Sequence, residues 1–466
     1  MAIILCQAAF TLSKKNIVKN SLLILIFQGL CDILIWIKIW HKFAHQERKI
    51  NMEKLNVAFI GLSGRGRSLA KTCLKYIKDI RIVAVCDLYE DRVQKAIELC
   101  EELGGYKPLY SDTDYRNIID KPEVDCVIVP TSWDSHIQIC IDCMNAGKYV
   151  ASEVGGAYNI EQCYDLVKTY ERTGVPVMML ENCCYGKNEM LILNMVKKGL
   201  FGEVLHCEGG YHHDLRDEVA LGHENRHYRL DNYMNRNGEV YPTHELGPIA
   251  KCLNINRGNR MLMLTSMASK SGSINQWIKD NRGEEFENAN YKFAMGDIVT
   301  TCIKCAHGET IVLTHDTTIP RAYSRGGVLQ GTKGTWSEDC QGILIDGMLE
   351  GASYEHRFIP TEEFYADHMH PLWKEYIDNG VVGGHDGMDY LCLNAFFDAV
   401  RNKTEVPIDA YDMASWMAIT CLSEDSIAMG SAPVAIPDFT YGKWINRKPY
   451  VRGKYCLEEV CCDCFE

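Results

Sequence analysis

The residues best suited to chemistry in this sequence lie in two neighbouring runs, residues 225–229 and 241–246. They read Asn-Arg-His-Tyr-Arg and Tyr-Pro-Thr-His-Glu-Leu. An imidazole titrates near neutral pH, so His244 can take up a proton and return it within one cycle. Arginine offers fixed donors, and tyrosine places a hydroxyl group on an apolar ring. These residue types suit the edges and faces of a sugar, although a histidine at a helix start can also be satisfied by backbone groups.

A glycine-rich segment far upstream predicts a redox cofactor beside that site. Residues 61–66 read Gly-Leu-Ser-Gly-Arg-Gly, follow a predicted strand and open a predicted helix, as the G-x-G-x-x-G dinucleotide fingerprint does. Gly61 makes the tight turn, Gly66 lets helix and strand approach, and Ser63 departs from the fingerprint at its second glycine. Asp87 ends the second predicted strand, where a carboxylate accepts hydrogen bonds from the adenosine ribose and repels a 2′-phosphate. The pattern predicts NAD, and a glycine-rich turn without a ligand is the alternative.

The elements that must position these residues alternate strictly between strand and helix in the first half. Strands rich in valine and isoleucine that alternate with helices predict a doubly wound parallel sheet of the Rossmann type, an α/β fold. The predicted strands are residues 56–60, 81–86, 124–129, 149–152 and 176–180, and the predicted helices are residues 68–76, 91–103, 136–146 and 161–172.

The rhythm changes after about residue 185, where longer alternating runs predict an α+β domain with an open, mainly antiparallel sheet. Its predicted strands are residues 202–210, 261–267, 296–304, 310–317 and 328–337, and its predicted helices are residues 190–198, 244–253, 391–401 and 411–427. We therefore divide the chain into an N-terminal extension (1–51), an NAD-binding domain (52–182), a substrate-binding domain (183–440) and a cysteine-rich tail (441–466).

Composition and charge exclude some classes of function. The 466 residues carry a net charge of −13, and the first 51 are basic, so the acidity is concentrated in the rest of the chain. Nucleic acid requires a basic face, so we expect no nucleic-acid partner. The 22 cysteines lack the spacing of a small disulfide-stapled domain, which favours a reducing compartment and a cytoplasmic location. We expect a small-molecule partner and a homo-oligomer.

Neither the histidines nor the terminal cysteines predict a metal site. Five histidines between residues 206 and 227 show no H-E-x-x-H or similar spacing. The tail cysteines could bind a metal, but their C-x4-C-C-x-C spacing favours free thiols: Cys456, Cys461, Cys462 and Cys464.

The first fifty residues contain an apolar stretch at residues 21–37, which Gln28 and Asp32 interrupt. A membrane helix needs about 20 apolar residues, and a central aspartate opposes insertion. We interpret the stretch as part of an upstream extension, with the natural start at Met52. A membrane anchor or an exported protein is the alternative.

With these motifs in place, the chain resembles the Gfo/Idh/MocA oxidoreductase superfamily from Met52 to about residue 440. Dehydrogenases of that superfamily carry a Glu-Lys-Pro motif after the fifth strand, and its lysine assists proton transfer. Residues 152–156 read Ser-Glu-Val-Gly-Gly, so Val154 replaces the lysine. A valine cannot move a proton.

Several runs in order further resemble glycoside hydrolase family 109, a branch that shares this loss. They are residues 209–211, 213–216, 225–229, 232–233, 236–238, 241–246 and 256–260. The resemblance implies α-N-acetylgalactosaminidase activity with a tightly held NAD. The family often begins with an export signal, and this chain has no clear one.

The resemblance also implies the roles of individual residues. His244 and Tyr185 are the predicted proton-transfer groups, and a packing role is the alternative for Tyr185. The predicted substrate contacts are Tyr211, Arg229, Tyr241, Pro242, Thr243, His244 and Tyr323. The matching cofactor positions are Arg65, Gly66, Asp87, Trp133, Asp134, Ser135, His136, Glu153, Val154, Asn182 and Tyr241, to which the fingerprint adds Gly61, Ser63 and Gly64.

Three hypotheses follow. In the first, a glycosidase oxidises C3 of an N-acetylhexosaminide transiently, eliminates the C1 substituent, adds water and reduces C3 again with the same NAD. In the second, an NAD-dependent sugar dehydrogenase uses His244 in place of the missing lysine. In the third, the protein binds NAD or sugar without catalysis.

Overall fold

The computed structural model describes residues 54–348, 357–447 and 452–465. The predictions for residues 1–51 lie outside these ranges. Within them, no helix combines the length and the apolar character that crossing a bilayer requires.

The first half forms a wholly parallel sheet with helices between its strands, as predicted. The sheet has six strands, and the short strand Tyr110–Asp112 was not among the five predicted ones. The elements are β1 (Leu55–Ile60), α1 (Gly64–Tyr76), β2 (Ile80–Cys86), α2 (Glu90–Gly104), β3 (Tyr110–Asp112), α3 (Arg116–Ile119), β4 (Cys126–Val129), α4 (Trp133–Asn145), β5 (Tyr149–Ser152), α5 (Ile160–Thr173) and β6 (Val177–Met179). The strand order is β3-β2-β1-β4-β5-β6. The central strand β4 is buried along its whole length because helices cover both faces of the sheet. The order reverses between β1 and β4, and ligands bind at such a reversal, outside the carboxyl ends of the strands.

The second half forms a nine-stranded sheet with helices on one part of its surface. Its elements are α6 (Lys187–Lys197), β7 (Val204–His212), α7 (Arg216–Ala220), α8 (Gly222–Asn225), α9 (Arg229–Asn235), α10 (Thr243–Cys252), β8 (Met261–Ala268), α11 (Ser273–Arg282), β9 (Ile298–Cys305), β10 (Thr310–Asp316), β11 (Val328–Gly331), β12 (Gly334–Ser337), β13 (Gly342–Ile345), β14 (Ile359–Pro360), α12 (Tyr365–His368), α13 (Pro371–Asn379), α14 (Met388–Asn402), α15 (Ala410–Ala428) and β15 (Val434–Ala435). Short 3-10 turns lie at Asn182–Tyr185, Thr361–Phe364, His385–Gly387, Lys443–Ile445 and Cys462–Phe465.

The nine-stranded sheet is mainly antiparallel, as predicted, with the order β14-β13-β12-β11-β7-β10-β9-β8-β15. The strands β13, β14 and β15 were not predicted, and two further details differ from the sequence prediction. β7 and β10 pair in parallel. The run 328–337 is a hairpin rather than one strand, because the chain reverses between Gly331 and Gly334 and β11 pairs antiparallel with β12.

One helix joins the two halves into a common core. α15 is buried over most of its length and packs against α5 and β6 of the first sheet and against β8 of the second. A helix that is apolar on all sides is stable only when it is enclosed in this way. Both sheets belong to one compact unit, Leu55–Glu466. The seam between the halves is therefore a position where residues from both can meet.

The C-terminal tail is anchored to the second half by buried charges. Glu458 lies 2.7 Å from the Lys251 ammonium and 3.1 Å from the Arg257 guanidinium. The tail cysteines differ in exposure, since Cys456 and Cys461 are buried whereas Cys462 and Cys464 are exposed.

Candidate active site

A cavity of about 550 Å³ lies outside the carboxyl edge of the six-stranded sheet. Five of the predicted cofactor residues line it, and all five come from strand ends or helix starts. They are Gly61, Ser63, Asp87, Asp134 and Ser135. The position is the one that a doubly wound sheet offers to a dinucleotide.

The glycine turn below the cavity depends on two missing side chains. Gly61 has a φ of +104°, and a Cβ atom there would lie 2.6 Å from the Pro130 carbonyl oxygen. A Cβ atom on Gly66 would lie 2.0 Å from the Gly61 carbonyl oxygen. The backbone of Gly64 faces open space, with no heavy atom within 4 Å of a Cβ atom placed there. The turn thus packs tightly against the sheet and leaves room on the cavity side.

The two helices that begin at this cavity leave donors for an anion. Ser63 precedes α1 and Ser132 precedes α4, and neither side chain caps its helix. Uncapped N–H groups at a helix start bind phosphate. Asp87 is held by the backbone N–H groups of Leu62 at 2.6 Å and Tyr89 at 3.0 Å, which orients its carboxylate at the cavity wall. These features fit the pyrophosphate and the ribose of NAD.

Three other predicted cofactor residues are tied together by a residue that the sequence analysis missed. Arg65 donates to Glu153 at 2.7 Å and to both oxygens of Asp389 at 2.7 and 2.9 Å. Asn182 donates to Asp389 at 2.8 Å. Burial alone would raise the pKa of Asp389, but His385 and the Arg65 cation hold this pKa well below its usual range. Asp389 belongs to α14, so this network joins the two halves of the molecule.

The remaining predicted cofactor residues are enclosed rather than exposed to the cavity. The Nε2 atom of His136 lies 3.0 Å from the Thr131 carbonyl oxygen, and burial lowers the pKa of His136 to about 4. His136 is therefore neutral and packs inside the fold. Val154 is buried, and its N–H group donates to Glu153 at 3.1 Å. Neither side chain changes its protonation state near neutral pH.

Beside the cavity, aromatic side chains surround a cation and an imidazole. The ring centroids of Tyr211 and Tyr241 are 4.5 Å apart, and both rings lie edge-on to His244, at 5.4 and 4.9 Å. Tyr211 is on β7, Tyr241 precedes α10, and His244 lies in the first turn of α10. The structure therefore brings three of the predicted substrate residues together. We refer to this group together with Arg229 as the sugar cluster.

Arg229 is buried at the centre of the sugar cluster. Its guanidinium carbon lies 5.1 Å from the Trp133 ring, 5.7 Å from Tyr211 and 5.0 Å from Tyr241. Its Nε atom lies 2.6 Å from a carboxylate oxygen of Glu218, which the sequence analysis did not identify. Burial acts to lower the pKa of Arg229, yet the surrounding rings and Glu218 leave it well above the ordinary value. The side chain is a permanent cation with aromatic faces around it.

His244 has a buried carboxylate partner. Its Nδ1 atom lies 2.8 Å from the Glu181 Oε1 atom, and the backbone N–H group of Cys183 donates to the same oxygen at 3.1 Å. Glu181 is fully buried at the end of β6. Burial acts to raise the pKa of Glu181, but the neighbouring His244 outweighs it and lowers this pKa. An ionised Glu181 holds the proton on Nδ1 and leaves Nε2 as the nitrogen that can accept a proton.

The same corner contains the single group of metal-ligand types found among the described residues. The ligand atoms of Glu181, Cys183 and His244 lie within 4.8 Å of one another. Because Nδ1 of His244 is already hydrogen-bonded to Glu181, we interpret these residues as an acid–base pair rather than a metal centre.

At the rim, Tyr323 is half exposed, and its ring lies 5.2 Å from His213 and 6.5 Å from Tyr211. His213 also stacks on Tyr211 at 5.7 Å. His213 directly follows β7 and was not among the predicted site residues. Pro242 precedes α10 and Thr243 is fully buried, so these two residues shape the helix start.

Tyr185 lies away from these groups. Its side chain is fully buried and its hydroxyl group donates to the Tyr455 carbonyl oxygen at 3.0 Å. Burial raises the pKa of Tyr185 well above its ordinary value, which opposes release of the proton. These contacts favour the packing role for Tyr185.

A second buried acid lies behind the sugar cluster. The Glu239 carboxylate and the Nδ1 atom of His315 are 3.7 Å apart, and the Nε2 atom of His315 is 2.9 Å from the Tyr233 hydroxyl group. Burial raises the pKa of Glu239 to about 8 and lowers that of His315 to about 3, so both are neutral near pH 7. The His315 ring stacks 6.5 Å from Tyr211 and supports that ring from behind.

The fold and the cavity define the first class of protein to which this chain belongs. Residues 55–181 match the oxidoreductase family with the NAD-binding Rossmann fold. Levoglucosan dehydrogenase, solved in complex with NADH and levoglucosan, has the same fold with a TM-score of 0.61 at 17% identity, over 83% of this chain and 100% of that chain. The N-terminal half is thus an NAD-binding Rossmann domain of the Gfo/Idh/MocA type.

The second half identifies the family. Residues 185–446 match the C-terminal domain of glycosyl hydrolase 109. An α-N-acetylgalactosaminidase of Tannerella forsythia is 40% identical over 85% of this chain and 88% of its own length. A glycosyl hydrolase family 109 protein of Parabacteroides distasonis is 39% identical over 85% of this chain and 89% of its own length. The chain belongs to glycosyl hydrolase family 109 and is a glycoside hydrolase.

Proposed function

We propose that this protein hydrolyses α-N-acetylgalactosaminides by transient oxidation of the sugar at C3. The observation that carries the proposal is the His244–Glu181 pair, 2.8 Å apart, inside a ring of tyrosines next to the cofactor cavity. Tyr228 lines that cavity, its ring lies 4.9 Å from Trp133, and Trp133 lies 5.6 Å from Tyr241. One indole therefore separates the cofactor site from the sugar cluster. The name of the Tannerella forsythia relative supports the choice of sugar.

NAD, when bound, supplies the reversible removal of hydride from C3. The C3 ketone acidifies the C2–H bond, so a base can remove that proton while the glycosidic oxygen leaves C1. Water then adds at C1 of the enone, a proton returns to C2, and the C3 ketone regains the hydride and the proton that C3 lost. The sugar ends with the oxidation state it began with, so the net reaction is hydrolysis.

We assign the transfer of the C3 hydroxyl proton to Nε2 of His244. Glu181 fixes the tautomer and stabilises the imidazolium that forms, as a buried carboxylate does for a catalytic histidine. The Arg229 cation and the Tyr211 and Tyr241 hydroxyl groups hold the sugar edge. The aromatic ring faces exclude water from the reacting carbons.

A second base is needed near C2, and we assign this role to His213. Its imidazole adjoins the cluster, stacked on Tyr211 and edge-on to Tyr323. Burial lowers the pKa of His213, and the Arg229 cation adds to that effect, so the ring is neutral and can accept a proton near neutral pH.

The proposal is tested with the protein purified without added NAD. We expect nitrophenol release from p-nitrophenyl α-N-acetylgalactosaminide without net NADH, and deuterium at C2 of the product in D2O. His244→Gln retains a donor toward Glu181 and should lower turnover by about 10²–10⁴-fold. Stoichiometric NADH without nitrophenol would instead identify a sugar dehydrogenase. Sugar binding without turnover in the parent protein would identify a binding protein.

We also propose a reducing, cytoplasmic location. All 20 cysteines in the described ranges are free, and 16 of them are buried. The spacing argument from the sequence supports the same conclusion. Alkylation of the thiols in intact cells, followed by mass spectrometry, measures their oxidation; widespread native disulfides would contradict the proposal.

We propose further that the protein is a homo-oligomer. Exposed apolar side chains occur on two neighbouring strands of the nine-stranded sheet, with Leu262 and Met267 on β8 and Ile298 on β9. When a second copy of the chain packs against such side chains, their apolar area is removed from water. Light scattering after gel filtration measures the mass, and a monomer at micromolar concentration would contradict the proposal.

A further inference from the structure

A segment of the second half covers one side of the dinucleotide cavity. Residues 222–232, which we call the strap, contain α8 and the start of α9. Seven strap residues line the cavity, among them Gly222, His223, Arg226, Tyr228, Asp231 and Asn232. We propose that the strap retains the bound dinucleotide, and that the Asp91–Arg226 ion pair is the contact that holds the strap closed.

The Asp91–Arg226 pair joins the strap to α2 of the Rossmann domain. The two terminal nitrogens of Arg226 donate to the two carboxylate oxygens of Asp91, both at 2.9 Å. This parallel geometry is the strongest that arginine and a carboxylate form. The Arg226 cation holds the pKa of Asp91 below its usual range. The pair therefore persists at neutral pH.

The contact is reinforced by a second arginine of α2. Arg92 donates to the carbonyl oxygens of Asn225 at 3.4 Å and Arg226 at 3.1 Å. Both guanidinium groups lie over the ring of Tyr89, with Arg226 at 4.3 Å and Arg92 at 4.6 Å. Tyr89 itself lines the cavity. The strap, the two cations and the ring thus form one connected part of the cavity wall.

The far end of the strap is tied to the Rossmann domain as well. The Tyr158 hydroxyl group donates to the Asn232 side chain at 2.9 Å. At the first tie, Arg226 has a φ of +52°, a left-handed conformation that a residue with a side chain adopts only when its contacts compensate. Release of the Asp91–Arg226 pair removes that compensation, so the strap can move away from the cavity.

The size of the effect follows from exposure. The side chains of Asp91 and Arg226 are 46% and 39% exposed, so solvent weakens the pair. We therefore expect the pair to lengthen the residence time of the dinucleotide by about 3–10-fold. The residence time of the cofactor does not depend on whether the protein cleaves the proposed glycoside.

The experiment measures that residence time directly. The full-length protein is loaded with NADH and mixed with a large excess of NAD⁺, and the loss of bound NADH is followed by its fluorescence. Arg226→Ala and Asp91→Ala should each speed dissociation by about 3–10-fold, and the double variant should be no faster than the faster single variant. High salt should speed dissociation from the parent more than from either variant. Arg226→Lys, which keeps the charge but not the two parallel hydrogen bonds, should give an intermediate rate.

Lys95→Ala is the matched control. Lys95 also pairs with Asp91, at 3.3 Å, but it lies one turn along α2 rather than on the strap. NADH should therefore dissociate from the Lys95→Ala variant at the same rate as from the parent. Thermal unfolding verifies that each variant is folded. The salt dependence of the parent tests the inference without any substitution. Any of three results would overturn the role of the Asp91–Arg226 pair. These are single-variant dissociation rates within twofold of the parent, fully additive effects in the double variant, and a parent dissociation rate that does not respond to salt.

Discussion

The cofactor cavity and the sugar cluster lie side by side, yet they are formed by different kinds of chemical group. The cavity is formed largely by backbone groups at strand ends and helix starts, with the turn 61–66 and the uncapped start of α4 as its centre. The sugar cluster consists of side chains: a buried cation, a histidine and several phenol rings. Trp133 contacts both regions.

The difference shows what each ligand requires. A pyrophosphate is a permanent anion, and fixed N–H dipoles bind it without any titrating group. A sugar that must lose and regain protons needs groups that change charge, and a buried charge, whether titrating or permanent, needs a partner. Accordingly, His244 has Glu181 and Arg229 has Glu218. Side-chain substitutions should therefore harm the sugar cluster more than the cavity, where the backbone dominates.

Arg229→Lys should show the largest effect. A lysine ammonium cannot lie flat among three aromatic rings and still reach Glu218, so we expect kcat/KM to fall by about 10²–10³-fold, mainly through KM. Steady-state kinetics with a nitrophenyl glycoside measures this change, and NADH binding should remain. Arg216→Lys is the control, because Arg216 pairs with Asp214 at 2.7 Å outside the cluster. An unchanged KM in Arg229→Lys would remove Arg229 from the site.

Glu181→Gln should lower kcat by about 10–100-fold while KM changes little. The amide no longer stabilises the imidazolium of His244, and loss of a partner that orients a functional histidine typically has an effect of this size. Tyr185→Phe changes a residue four positions away and removes the bond to Tyr455. We expect that variant to keep turnover within twofold; a large loss would restore Tyr185 as a proton-transfer group.

Gly66→Ala tests the backbone character of the cavity. The added Cβ atom would lie 2.0 Å from the Gly61 carbonyl oxygen, so strand or helix must shift. We expect about tenfold weaker NADH binding and a loss of stability of roughly 1–3 kcal/mol, as for overpacked sites. Gly64→Ala is the matched control for stability, since its Cβ atom meets open space. Equal unfolding midpoints for the two variants would show that the turn is more tolerant than its geometry indicates.

Glu239→Gln should leave catalysis nearly intact and change the pH dependence of stability. The pKa of Glu239 is raised to about 8 in the folded protein, so the folded state takes up a proton between about pH 4.5 and 8. The parent therefore loses stability across that window as pH rises, and the variant should not. Relative to the parent, we expect the free energy of unfolding of the variant to be higher at pH 8 than at pH 5 by roughly 1–4 kcal/mol, because one pKa unit corresponds to about 1.4 kcal/mol.

Denaturant unfolding at pH 5 and pH 8 measures the difference between Glu239→Gln and the parent. Glu161→Gln, at an exposed position of α5, serves as the control. A constant difference between variant and parent at the two pH values would show that Glu239 is ionised in the folded protein.

The sequence predicted the six-stranded sheet well because each strand–turn–helix unit has its pattern within about 30 consecutive residues. The turn at Gly61 and the carboxylate of Asp87 were found in the same way. The antiparallel sheet was predicted in type but not in detail. The parallel pairing of β7 with β10 joins strands about 100 residues apart, and periodicity does not report a partner at that distance.

In the sugar cluster, too, the sequence predicted the residues of local motifs but not their distant partners. His244, Arg229 and the tyrosines were found through the motifs that contain them. Glu181 stands beside the predicted Asn182, so an acid at a strand end was its one available signal. Asp389 lies more than 200 residues from Asn182, and no local pattern could connect them.

By itself, the sequence determined the class of fold, the choice of NAD, the loss of the catalytic lysine and the identity of the candidate acid–base histidine. Each of these depends on residue types and spacings within one short segment, where local backbone geometry is decisive. The tertiary structure alone decided which carboxylates pair with His244, Arg65 and Arg229, and that the strap lies over the cavity. Those facts depend on packing between distant segments, because a buried charge is stabilised by whichever partner the fold brings within hydrogen-bond distance.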